Sequence, residues 1–154
     1  MNLAALLTEA HVVTEISATN HFGAIEELVV HLDERGLLQR ISRETVTSAL
    51  REREDKVSTG IGFGVAIPHA FVPELDEVIV VFGRSTEGVD FDSIDNVPVK
   101  LIVLFIVPED QYHAHLETLA AIAKMLNDGE TRASLLDAPD EAAILSVLGE
   151  RFSG

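Results

Sequence analysis

Leu101-Ile102-Val103-Leu104-Phe105-Ile106-Val107 is the longest apolar run in this 154-residue chain. The side chains of a strand point alternately to its two faces, so seven apolar residues in succession predict a strand covered on both. A membrane-spanning helix would need ~20 such residues. Upstream, Val78 to Phe82 reads as a second strand, Val65-Ala66-Ile67 as a brief one ended by Pro68, and Val12 to Ile16 as a short β-branched one. Glu87-Gly88 and Asp95-Asn96 are turn signals. Between and after these lie helical patterns. Thr19 or Asn20 can cap a helix with Ile25, Leu28, Val29 and Leu32 at helical spacing, stopped by Gly36. Ser42 can cap a second, with Val46, Ala49 and Leu50 inward, running out near Arg53 to Lys56. Pro108-Glu109-Asp110 opens a long helix to about Asn127, and two shorter ones are predicted near 131–137 and 140–151. A short apolar piece, Leu3 to Leu7, begins the chain. The class is α/β: a single domain over residues 1–154 with a mixed central sheet flanked by helices. Some strand connections are too short for helical crossovers, which excludes an all-parallel sheet.

Composition narrows the function classes. The chain has no cysteine, which removes disulfides, thiolate chemistry and Cys-based zinc sites. Its first residues lack the basic segment of a signal peptide, so a soluble cytoplasmic protein is expected. The 26 acidic and 11 basic residues leave a net charge of −15. Phosphate backbones and anionic membrane surfaces need the opposite sign, so neither nucleic acid nor direct membrane insertion is expected. A basic protein partner suits this field. Residues 57–154 carry 16 acidic and 5 basic groups against 10 and 6 in residues 1–56. Arg51, Arg53 and Lys56 form a small basic island where the second helix ends.

Six histidines are present. His11, His21 and His31 sit beside polar residues near the first helix and are expected to be solvated. They lack H-E-x-x-H or H-x-x-E-H spacing, and no metal is expected. His69 ends the segment Ser58-Thr59-Gly60-Ile61-Gly62-Phe63-Gly64-Val65-Ala66-Ile67-Pro68-His69. Its glycines allow tight turning and bring backbone N–H groups close to an anion. The segment lacks the Gly-Lys-Ser/Thr ending of a P-loop, and no helix follows it as a dinucleotide fingerprint requires. On periodicity alone, a packed histidine at a strand end accounts for His69 equally well. His115, Leu119, Ile122 and Leu126 form one helical stripe. That points His115 inward at the carboxyl end of the core strand, where open α/β sheets place ligands and a helix N-terminus favours anions. A core-edge histidine is the other reading of His115. His113 faces elsewhere.

The segment 58–69 resembles the phosphorylation-site signature of the EIIA domains of the bacterial phosphotransferase system, of the fructose, mannitol and nitrogen-regulatory (type-2) kind. Arg51-Glu52-Arg53-Glu54, Asp92 to Val99, Leu104 to Glu109 and His115-Leu116 with Leu119 fit the same pattern, so the resemblance covers nearly the whole chain. Phe63 and the Ala70-Phe71 pair depart from it, which bears on partner choice.

The resemblance implies a phosphohistidine carrier, a phosphotransferase component without metal or organic cofactor. His69 would be the phosphoryl acceptor and His115 the second histidine. Arg53, sixteen residues before His69, would face the phosphoryl group, and the hydroxyls of Ser58 and Thr59 are candidate hydrogen-bond donors to it. The donor would be phospho-HPr. The recipient would be EIIB or a regulatory target protein: the chain is read as a stand-alone nitrogen-regulatory type, with the free-standing A component of a fructose or mannitol permease as the alternative. A non-catalytic regulatory binding module is the alternative of another class, and the intact His69, His115 and Arg53 argue against it. A histidine-based hydrolase lacks a nucleophile motif such as G-x-S-x-G. The chemistry suits the residues. Phosphoryl transfer depends on positioning and charge, imidazole is largely neutral near pH 7, and guanidinium offers a fork of donors that fits phosphate.

Overall fold

A computed structural model describes residues 7–151. In it the apolar run lies within β6 (Val99–Pro108), the middle strand of the sheet. β5 (Ile79–Val89) runs antiparallel along one edge. Along the other, β3 (Val65–Ala66) and β4 (His69–Val72) lie end to end, both parallel to β6. β1 (Val12–Val13) is parallel to β5, and β2 (Gly60–Gly62) is antiparallel to β3. The six-stranded sheet is therefore mixed, as the short connections require.

Alternation along β6 and β5 builds two cores. Ile102, Leu104 and Ile106 with Ile79 and Val81 face α1 (His21–Glu34) and α2 (Arg43–Lys56), meeting Ile25, Leu28, Leu32, Val46 and Leu50. Leu101, Val103, Phe105 and Val107 with Val80 and Phe82 face α3 (Tyr112–Leu126), α4 (Gly129–Asp137) and α5 (Glu141–Arg151), meeting Ile122, Leu126, Leu135, Ile144 and Leu148. Each fully buried side chain of this kind contributes ~1.5–3 kcal/mol. The caps follow the sequence reading: Asn20 accepts from Gly23 N–H at 2.9 Å and Ser42 Oγ from Thr45 N–H at 3.1 Å, each worth ~1 kcal/mol.

Several local expectations are corrected. β1 stops at Val13. β5 continues through Glu87-Gly88 instead of turning there. Gly88 adopts φ +93°, and the register against β6 shifts between Arg84 and Val89. Across this shift β5 carries three more residues than β6, an irregularity that a left-handed glycine accommodates without ending the strand. Pro68 interrupts the β3 edge for two residues, after which β4 resumes the pairing, a strand not anticipated beyond the proline. α4 starts two residues earlier than expected because Asp128 Oδ2 caps it, accepting from Thr131 N–H at 3.1 Å. Of the apolar piece Leu3–Leu7, residues 3–6 lie outside the described residues, while Leu7 is buried. His11, His21 and His31 are half-buried, not solvated. His21 falls one turn before Ile25 on the buried stripe of α1, and His31 Nε2 donates to Ala10 O at 2.8 Å. Among the described residues no helix is long and apolar enough to cross a membrane.

Candidate functional site

The site begins at the Pro68 break. β3 ends at Ala66 and His69 opens β4, opposite Phe105 of the central strand. His69 Nδ1 lies 2.8 Å from Ile67 O. A carbonyl only accepts, so Nδ1 carries the ring proton and Nε2 is left with its lone pair. Burial lowers the proton affinity of the half-buried ring; the Ile67 bond acts against this, Arg53 adds to it, and Glu54 opposes it. The net direction is downward from 6.5, which keeps the imidazole neutral at pH 7.

A cavity of about 180 Å³ adjoins this ring, lined by Arg53, Ser58, Thr59, Ile61, Ile67, His69 and Leu119. Four of the five residues singled out in the sequence thus meet. Arg53 is half-buried at the end of α2, and one of its guanidinium nitrogens donates to Val57 O at 2.8 Å. That closes the helix end and leaves further N–H donors of the fork unassigned. Arg51, two residues earlier, is exposed and stacks over the Phe22 ring at 5.2 Å.

Ser58 and Thr59 reach the cavity, but their hydroxyl hydrogens are committed elsewhere. Ser58 Oγ donates to Phe91 O and accepts from Gly60 N–H at 3.1 Å. Thr59 Oγ1 donates to Glu54 Oε1. A hydroxyl has one hydrogen to give, and in this structure both are given to partners within the protein, where the side chains shape the segment. Gly60 is required there: a Cβ would come within 2.2 Å of Ser93 Oγ. Further along, Phe63 is 64% exposed at φ +58°, with its N–H held by Asp95 Oδ2 at 2.9 Å.

His115 is placed differently. It is 2% exposed in the first turn of α3, on the stripe that continues to Leu119, and it does not line the cavity. Its Nε2 lies 3.1 Å from Gln111 Oε1, while the Gln111 amide nitrogen donates to Asp76 O at 3.4 Å. The amide oxygen therefore accepts, Nε2 carries the proton, and Nδ1 is a buried lone pair without a partner. Burial lowers its proton affinity. The two histidine rings have separate hydrogen-bond partners and are not bonded to one another.

Glu54 was not among the residues picked from the sequence. It is 2% exposed and accepts from Thr59 N–H at 3.1 and 2.8 Å as well as from the hydroxyl. Its signal was present: Val46, Leu50 and Glu54 repeat every four residues along α2, which continues the inward face of Val46 and Leu50.

These features define a class: an α/β domain with a mixed six-stranded sheet that presents one bare imidazole nitrogen beside an arginine at a glycine-rich strand edge. Residues 5–150 match the family described as the phosphoenolpyruvate-dependent sugar phosphotransferase system, EIIA 2, and the chain belongs to that family. It is 35% identical over 150 residues to the fructose-specific EIIABC component of Bacillus subtilis, a match that takes in 97% of this chain and only 23% of that larger protein. The fructose-specific EIIA component of Haloferax volcanii is 38% identical over 128 residues, 83% of this chain and 82% of its own. The nitrogen regulatory protein of Bradyrhizobium diazoefficiens is 37% identical over 125 residues, 81% of this chain and 80% of its own. The crystal structure of Nitrogen Regulatory Protein IIA-Ntr from Neisseria meningitidis superposes with a TM-score of 0.87 at 30% identity, covering 95% of this chain and 98% of that one.

Proposed function

We propose that His69 Nε2 accepts a phosphoryl group from phospho-HPr, holds it, and passes it on. The observation that carries this reading is the hydrogen bond from His69 Nδ1 to Ile67 O at 2.8 Å, which leaves Nε2 bare beside the Arg53 cavity. In the transfer the donor's N–P bond breaks, its nitrogen regains the lone pair, and the Nε2 lone pair forms the new N–P bond. Nδ1–H stays on Ile67 throughout and fixes the tautomer. Arg53 offsets the incoming charge with its remaining N–H donors, a charge-assisted bond being about twice as strong as a neutral one. His115 acts as the second histidine. Support for it is its place one turn before Leu119, which lines the cavity, and an Nδ1 that nothing else occupies. The chain works in the cytoplasm, where the donor resides.

The recipient is a regulatory target, as in a nitrogen-regulatory EIIA; the whole-chain match to IIA-Ntr supports this. The fructose-specific relatives at 35% and 38% identity favour a second reading, an EIIA component that passes the group to an EIIB. Incubation with phosphoenolpyruvate, enzyme I and HPr will label the chain with an acid-labile, base-stable phosphate. H69A will remain folded and take no label; full labelling of H69A overturns the assignment. Transfer from the labelled chain to a fructose EIIB separates the two recipients.

A further inference from the structure

Glu54 is the charged group beside the site that the reading above leaves without a task. It follows Arg53 on α2, is almost fully buried, and accepts from both the backbone and the hydroxyl of Thr59, a residue of the cavity wall. A carboxyl that accepts from each of these and donates to none acts as an anion. The group facing it from α1 is His21, whose Nδ1 stands 3.6 Å from Oε2 and has no hydrogen-bond partner of its own. The last turn of α2 therefore delivers two opposite charges to the surroundings of His69: a guanidinium in the cavity wall and a carboxylate behind Thr59. Their effects on the His69 ring run in opposite directions, Arg53 disfavouring a proton there and Glu54 favouring one.

A phosphoryl dianion on Nε2 reverses both signs. Arg53 attracts it and Glu54 repels it. A carrier that held the group with an unopposed cation in a poorly solvated pocket would release it slowly, because charge interactions strengthen as water is excluded. We propose that Glu54 is a positioning residue that tunes the carrier: its buried negative charge weakens the hold on the phosphoryl group at His69 and so favours onward transfer. This rests on the reading of His69 as the phosphoryl acceptor. Thr59 fixes the distance by tethering the carboxylate with both of its donors.

The test uses the full chain with E54Q, which keeps the shape and removes the charge, and E54D, which keeps the charge on a shorter stem. Two quantities are read. One is the titration of the His69 ring by NMR in the unphosphorylated chain. The other is the equilibrium distribution of phosphate between the chain and HPr. E54Q will lower the proton affinity of His69 and shift the distribution toward the phosphorylated chain by about tenfold, the scale of one nearby charge at a partly screened site. E54D will return both toward wild type. If E54Q does not fold, the double variant E54L/T59V, apolar at both ends of the hydroxyl–carboxylate bond and leaving only the Thr59 backbone N–H without its acceptor, is read instead with the same expectation. The proposal is overturned if the charge-free variant leaves both quantities at wild type, or if E54D departs from wild type as far as E54Q does, since geometry and not charge would then govern. A wild-type chain that takes no label refutes the acceptor reading, whereas the His69 titration still decides by itself whether the Glu54 charge acts on that ring.

Discussion

His69 and His115 are held in place by different means. The His69 region, residues 58–72, holds its ring locally. Its ring bonds a carbonyl two residues back, its loop is tied by Ser58 to Gly60, and α2 ends against it at Val57. The His115 region, residues 111–119, is tertiary. Its ring is set by Gln111, whose own amide reaches Asp76 on the loop between β4 and β5. The difference in chemistry follows. The His69 ring lines a cavity and keeps an Nε2 free of its Nδ1 bond, while the bare Nδ1 of His115 is buried with no partner. On the function proposed above, one ring reacts and the other responds.

The largest expected effect tests that division. H115A will still accept the phosphoryl group on His69, but onward transfer will slow by ~10²–10³, the usual loss of one positioned acid, base or electrostatic group. Single-turnover transfer from the labelled chain measures it. Wild-type rates in H115A would break the comparison and leave His115 as a core-edge histidine. Q111L sharpens the same point. It frees the tautomer without touching His115, so it will move transfer in the same direction by less.

Next in size is the contrast between two arginines on one helix. Arg53 lines the cavity, and Arg51 stacks on Phe22 of α1. R53Q removes a charge-assisted contact to the phosphoryl group, worth ~1.5–3 kcal/mol and so ~10–100-fold in transfer. R51Q changes the net charge equally and will leave transfer close to wild type. Equal losses in the two variants would mean that general electrostatics, not a specific guanidinium, serves the site. Thermal midpoints of both will stay within a few degrees, because closing a helix end contributes only ~0.3–1 kcal/mol.

The legibility of the sequence divides along the same line. β6 was readable because an uninterrupted apolar run has one solution, and Asn20 and Ser42 because caps are local chemistry. His69, Arg53, Ser58 and Thr59 were readable as one place, through glycine spacing and the resemblance it carries. What the two hydroxyls do there was not, since their acceptors, Phe91 O and Glu54, lie outside the segment. β2 and β4 escaped because Gly60-Ile61-Gly62 has little strand propensity and a proline precedes β4; both exist through pairing partners. Glu54 and His21 were hidden by residue type. Each sits on a buried stripe, beyond Leu50 and before Ile25, where a charged or polar side chain is read as solvent-facing until its partner is known. The Gln111 contact to His115 joins neighbours on one helix end, yet its orientation is set by Asp76, 35 residues away.

The smallest effect concerns stability against pH, and it also separates the two rings. Burial leads the lowering of proton affinity at His69, His115 and His11 from the ordinary 6.5. The unfolded chain therefore binds protons that the folded chain refuses. Stability contributed by these groups is fully present above pH 6.5 and is lost as the pH falls below it. Glu15, Asp95 and Asp128 are held below their ordinary values by hydrogen bonds from Thr86, Phe63 and Thr131. Their contribution is lost only in the carboxylate range, below pH ~4.5. Between pH ~5 and 6.5 the slope belongs to the histidines. A proton entering His69 arrives at Nε2, on a half-buried ring that lines the cavity. One entering His115 arrives at Nδ1, buried with nothing to accept its hydrogen bond, and that costs more. Urea midpoints measured across this range will fall on acidification in the wild type. The fall will be reduced more by H115L than by H69L. A larger reduction in H69L would mean that the cavity excludes water more strictly than the site of His115, and would reverse which ring is the responsive one.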